Sequence, residues 1–190
     1  MKYKLALSVF LFLTVFTYAQ KKEGTLIFKD GKTINGLIKT KGSKVLFKQN
    51  KQSEIITYTH DKLSGIQFIN KKNKIYKFEY ITINPKKEPK LYYVEIDEFL
   101  KLYSEGNTIF SMQGGGLGSS RKTSTFYLKK ENEDVATFYT AFGYIPKDKF
   151  KKVVNEYFND CKPLLEKINT KEFKKKHYFE IVEYYNNNCR

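Results

Sequence analysis

The sequence predicts an α+β protein: an antiparallel β-sandwich or partly open β-barrel, followed by a C-terminal helical segment stapled by a disulfide. Three observations predict it. From Gly24 to Phe142, short runs rich in Ile, Val, Thr, Tyr and Phe alternate with polar residues at a period near two, and polar turns separate them. After Tyr144 the apolar spacing lengthens to that of an amphipathic helix. The only two cysteines, Cys161 and Cys189, both fall in that helical part.

The chain opens with an address. Lys2 and Lys4 precede an apolar run from Leu5 to Phe16, and Thr17-Tyr18-Ala19 before Gln20 has the form of a cleavage site. This reads as a secretory signal peptide over 1–19, cleaved after Ala19, so the protein is expected to be exported, either periplasmic or secreted. No later stretch is apolar for long enough to span a bilayer as a helix. The remainder divides into a β-rich module over 20–143 and a helical appendix over 144–190. The appendix cannot bury its apolar faces alone and is expected to pack on the β-module.

Within the module, strands are expected at Thr25–Phe28, Thr33–Thr40, Lys44–Lys48, Glu54–Thr59, Ile66–Ile69, Lys74–Ile83, Leu91–Asp97, Lys101–Tyr103, Thr108–Met112, Thr123–Lys129 and Val135–Ala141. Asp30-Gly31, between "TLIF" and "TINGLI", is the strongest hairpin signal. Asn35-Gly36 follows too closely for another hairpin, so Gly36 is expected at a bulge or tight bend. "NPKKEPK" at 84–90 is a proline-bounded loop and a candidate seam in the sheet. In the appendix, Phe150, Val153, Val154, Tyr157 and Phe158 share one helical face. Pro163 breaks this helix from a short second one in "KPLLEKI". A third is expected to carry Phe173, His177, Ile181, Val182 and Tyr185 along one face, with Cys189 at its end.

Charge narrows the function classes. The chain carries 35 Lys+Arg against 20 Asp+Glu, a formal net charge of +15. Arg121 and Arg190 are the only arginines. Base and phosphate recognition favours the guanidinium fork, so the excess of lysine is not the signature of a nucleic-acid reader. Dispersed lysine points to solubility and to weak attraction toward acidic glycans or anionic lipid. An even cysteine count in an oxidising compartment argues for a Cys161–Cys189 disulfide. Two cysteines without CxxC spacing leave a metal site short of ligands.

The motifs that resemble chemistry do not complete a site. In "SMQGGGLGSSRKTST" (111–125), Gly118 is followed by Ser119 where a phosphate-binding loop requires Lys, and Gly114, Gly116 and Gly118 miss the dinucleotide spacing. These glycines are read as a connection between strands. Glu95 and Asp97 are expected on one strand face, as a carboxylate acid/base pair would require, but without a histidine partner. His60 sits in a turn with Asp61. His177 and Glu180 have an i, i+3 spacing that a bundle metal site would need twice. Tyr92-Tyr93 and Tyr184-Tyr185 each send one ring to either side of their element.

The run "GTLIFKDGKTINGLI", the strand pair "TFYLKKENEDVATF" and above all "YFNDCKPLLEKI…IVEYYNNNC" resemble a group of exported bacterial proteins of unknown function. The resemblance covers most of the chain after Ala19. It implies an envelope or secreted location and a Cys161–Cys189 pair; it brings no catalytic residues. The function expected is therefore a non-enzymatic interaction module that binds an envelope protein or an acidic glycan through a tyrosine- and lysine-bearing β-face, with no cofactor and no nucleic acid. A β-barrel-like binder of a small apolar ligand is the alternative, and a hydrolase using Glu95 and Asp97 is third.

Overall fold

The computed structural model describes residues 22–70, 73–105, 124–141 and 147–189. Ten strands form one antiparallel sheet: β1 Lys22–Phe28, β2 Thr33–Lys41, β3 Lys44–Lys48, β4 Ile56–Tyr58, β5 Leu63–Ile69, β6 Ile75–Ile81, β7 Lys90–Ile96, β8 Leu100–Ser104, β9 Thr125–Lys130 and β10 Thr137–Ala141. Their spatial order is β10-β9-β8-β7-β6-β5-β1-β2-β3-β4. Of the two arrangements expected, the unclosed sheet is the one found. The expected strand at Thr108–Met112 and the glycine cluster at 114–118 lie outside the described residues.

Asp30-Gly31 makes the β1–β2 turn. Gly31 takes a φ of 84°, Phe28 N–H donates to Lys32 O at 2.9 Å, and Lys32 N–H donates to the Asp30 carboxylate at 3.0 Å. Gly36, by contrast, is not at a bulge. The β1–β2 register runs without a shift from Lys22↔Ile38 to Ile27↔Thr33, and Gly36 pairs with Gly24. Its lack of a side chain serves packing, since a Cβ there would stand 2.4 Å from the Phe47 ring. Residues 84–89 are not a seam either: they connect β6 to β7, which pair directly from Phe78↔Tyr93 to Ile81↔Lys90.

Alternation divides the side chains between two faces. On the first, Leu26, Ile38, Val45, Phe47, Ile66, Phe68, Phe78 and Tyr93 form one core. The second carries a smaller cluster of Ile81, Tyr92, Val94, Tyr103 and Ala136. Tyr92 and Tyr93 thus point to opposite faces, as expected. Each half of the sheet curls around its own cluster. On the first face, Tyr80 OH donates to Ser43 O at 2.6 Å although β5 and β1 lie between β6 and the β2–β3 hairpin. On the second, Ala136 N–H donates to Thr82 O at 2.8 Å, and Thr82 and Val135 form a parallel bridge. Five successive antiparallel strands bring the first and fifth into the same direction, so the parallel sense follows from wrapping β6 through β10 part way round.

The helices are α1 Lys147–Tyr157, α2 Lys162–Asn169 and α3 Tyr178–Asn188. Phe150, Val154 and Phe158, then Leu164 and Ile168, then Ile181, Val182 and Tyr185 pack on Leu100, Leu102, Leu128 and Tyr139 of the sheet. α3 is shorter than its apolar pattern predicts, because a 3-10 turn, Lys175–His177, precedes it and leaves Phe173 ahead of the helix. Buried Asn186 locks α3 to the start of β8: Leu100 N–H donates to its Oδ1 at 2.8 Å, and its Nδ2 donates to Leu100 O at 2.9 Å. Cys161, at the start of α2, is bonded to Cys189, at the end of α3. Among the described residues no helix is long and apolar enough to cross a membrane.

Candidate functional site

The second face, where β6 to β9 curl, collects the charged groups. Lys77 and Glu79 of β6 alternate with Phe78, which faces the first core, so both point to the second face. Lys101 and Tyr103 of β8 likewise alternate with Leu100 and Leu102 beneath the helices. Asp97, just after β7, completes a closed ring of four charges. Lys77 Nζ stands 2.8 Å from Glu79 and 2.6 Å from Asp97; Lys101 Nζ stands 2.9 Å from Glu79 and 2.8 Å from Asp97. Tyr103 OH adds a hydrogen bond to Glu79 at 2.6 Å.

Burial opposes the charge on Glu79, but hydrogen bonds from Lys77, Tyr103 and Lys101 outweigh it and hold the carboxyl below its ordinary range. Asp97 follows the same balance, lowered by Lys101 and Lys77 against burial. Both lysines are pushed up, because Asp97 and Glu79 overcome the burial that would lower them. The ring is electrically satisfied within itself. It contributes rigidity and leaves neither carboxylate as a free base.

Glu95 and Asp97 do not form a pair. A register shift between Val94 and Ile96 leaves Glu95 on the face of Tyr93, where simple alternation puts it, and turns Ile96 to that face and Asp97 to the other. The Glu95 carboxylate accepts a 2.7 Å hydrogen bond from Ser104 Oγ on the first face, whereas Asp97 binds lysines on the second. Burial raises the Glu95 pKa, partly offset by the Ser104 hydrogen bond and by Lys74. The acid/base arrangement considered for a hydrolase is therefore split by the sheet itself.

Beside the ring lies an open groove of about 380 Å³, lined by Lys29, His60, Ser64, Glu79, Tyr103 and Lys129 among others. Lys29 follows the end of β1 and Lys129 stands on β9 opposite Lys101. Neither has a carboxylate partner among the described residues. Ser64 Oγ donates to Ile27 O at 3.2 Å, leaving its lone pairs to accept. His60 occupies the expected turn, where Thr59 Oγ1 donates to Asp61 and the imidazole Nε2 lies 3.2 Å from Asp61 Oδ1. Its ring centroid is 6.1 Å from that of Tyr80. His177 is remote from this groove, and its Nδ1 accepts the Lys174 N–H at 3.2 Å. Among the described residues no three His, Cys, Asp or Glu side chains stand together as a metal site would need.

Buried tyrosines on both faces of the sheet and on α1 oppose ionisation in the folded chain. Burial raises Tyr80 and Tyr92 to about 12 from an ordinary 10.0. Burial and the Glu79 hydrogen bond push Tyr103 higher, and burial and Glu133 do the same to Tyr157. These groups ionise first in the unfolded chain, so their contribution to stability is complete below pH 10 and declines as pH rises through the folded values. The absorbance of tyrosinate should therefore rise as a cooperative step, coincident with loss of far-UV dichroism, between pH 10 and about 12. A smooth titration of every tyrosine near its ordinary value, with the fold intact, would contradict this packing.

No known protein family, characterised protein or solved structure matches this chain.

Proposed function

We propose that the protein is an exported, non-enzymatic binding module whose second-face groove takes an acidic glycan. The observation that carries this reading is the pair Lys29 and Lys129, two cations without carboxylate partners among the described residues, set across a groove that also offers hydroxyls. The neighbouring Lys77 and Lys101 are already neutralised, so the groove retains a local positive excess that matches a carboxylated or sulfated sugar. Ser64 and Thr82, both half-buried along the groove, supply oxygens for sugar hydroxyls. The near absence of arginine favours this partner over nucleic acid. Export is supported by the apolar run ahead of Ala19-Gln20, and N-terminal sequencing of the protein recovered from its native cell tests it: a chain beginning at Gln20 is expected.

Calorimetric titration of oxidised Gln20–Arg190 with oligogalacturonate and with a neutral oligoglucan, each at low and physiological salt, tests the binding. The acidic sugar should bind and the neutral one should not, and affinity should fall with salt. Lys29→Ala with Lys129→Ala should weaken binding about tenfold or more, on the scale of two lost charge-assisted contacts. Equal affinity for both sugars, or no effect of the double substitution, would refute the reading.

A further inference from the structure

We infer that the acidic glycan lies across this face as a linear chain several units long, spanning two grooves that meet at Ile81; this rests on the reading above. The second groove, about 290 Å³, is lined by Ile83, Asn84, Lys87, Lys90, Tyr92 and Tyr127 along with Ile81 and Glu88. Ile81 also lines the first groove, as does Pro89, the residue between Glu88 and Lys90. The β6–β7 connection therefore borders both, which sets the two grooves side by side at its base.

Size and charge both ask for an extended ligand. Of the roughly 300–1,000 Å³ typical of ligand sites, the second groove alone falls just short and the first lies near the lower end, whereas joined they fall well within it. Lys29 and Lys129 stand in one groove and Lys87 and Lys90 in the other, with Glu88 the single acid added. Such spaced cations suit a polymer with an anionic group on successive units, whereas a single sugar reaches one lysine pair only. The loop holding Lys87 is fixed by its own turn: Lys86 N–H donates to Asn84 Oδ1 and Lys87 N–H to Asn84 O, both at 2.9 Å. Tyr92 and Tyr127 meet edge to face with centroids 5.4 Å apart, giving the second groove an apolar wall.

The test is a length series of galacturonate oligomers titrated into the oxidised chain, into Lys29→Ala/Lys129→Ala and into Lys87→Ala/Lys90→Ala. Affinity should climb by at least about tenfold from the shortest to the longer oligomers and then level off, as two linked contacts require. Lys87→Ala/Lys90→Ala should leave the shortest oligomers unaffected and abolish the gain. Lys29→Ala/Lys129→Ala should weaken binding at every length. Affinity independent of length, or a full gain in Lys87→Ala/Lys90→Ala, would confine the ligand to the first groove and overturn this inference alone. No binding at any length would overturn the glycan reading itself. Tighter binding of a single-stranded oligonucleotide than of the longest sugar would overturn both.

Discussion

Phe158→Ala should lower the free energy of unfolding by about 3–5 kcal/mol, the range for emptying a fully buried aromatic site. The ring is 0% exposed. It follows the last turn of α1, where Phe158 N–H donates to Val154 O at 3.0 Å. Its centroid lies 5.4 Å from Tyr157, 5.3 Å from Tyr185 and 6.2 Å from Tyr139, so one side chain joins α1, α3 and β10. These neighbours cannot collapse freely into the vacated space. Tyr185 OH is held at 2.7 Å by Asp160, and Tyr157 OH at 2.6 Å by Glu133. Urea denaturation followed by far-UV dichroism measures the loss, with Ile69→Ala, at a position 57% exposed, as a comparison expected to fall within about 0.5 kcal/mol of the parent. Should Phe158→Ala cost no more than Ile69→Ala, the helices would not be docked on the sheet by this cluster.

Local chemistry made much of this architecture legible in the sequence. Period-two alternation located each described strand, because a strand with one buried face must repeat that way whatever its neighbours. Asp30-Gly31 specified its own turn for a similarly local reason. Gly36 was misread as a bend because its constraint comes from Phe47 on the next strand, not from its own neighbours in sequence. The third helix was overextended because Phe173 and His177 continue the apolar spacing, while the backbone passes through a 3-10 turn before Tyr178.

The candidate site was the least legible part. Lys77, Glu79, Lys101 and Tyr103 come from β6 and β8, Asp97 follows β7 between them, and the groove adds Lys29, just after β1, and Lys129 of β9. Alternation gives each residue a face, but only strand order places those faces together. The one usable signal was "KFE" on β6 and "KLY" on β8, where Lys77 shares a parity with Glu79 and Lys101 with Tyr103. Glu95 and Asp97 illustrate the reverse error. Their spacing promised a shared face, and the irregularity in β7 separated them.

Removing the disulfide should cost about 3–4 kcal/mol, the chain-entropy value for a loop of this length, closed by cysteines 28 residues apart. The effect acts mainly through the unfolded chain, which the bond deprives of freedom, so it adds to the packing contributed by Phe158. The loop encloses α2 and α3 and therefore Asn186, whose two hydrogen bonds hold Leu100 of β8. A reduced chain must order that whole segment without the covalent restraint. Urea unfolding of the oxidised protein beside Cys161→Ser/Cys189→Ser should give a lower midpoint for the variant with little change at the second-face groove, which lies across the sheet from the helices. Affinity for the proposed glycan, measured well below the midpoint, should thus be retained. Equal midpoints would mean that helix packing alone restricts this segment and that the bond adds no stability. A lower midpoint accompanied by lost affinity would mean instead that the helices hold β8 and β9 in the shape the groove requires.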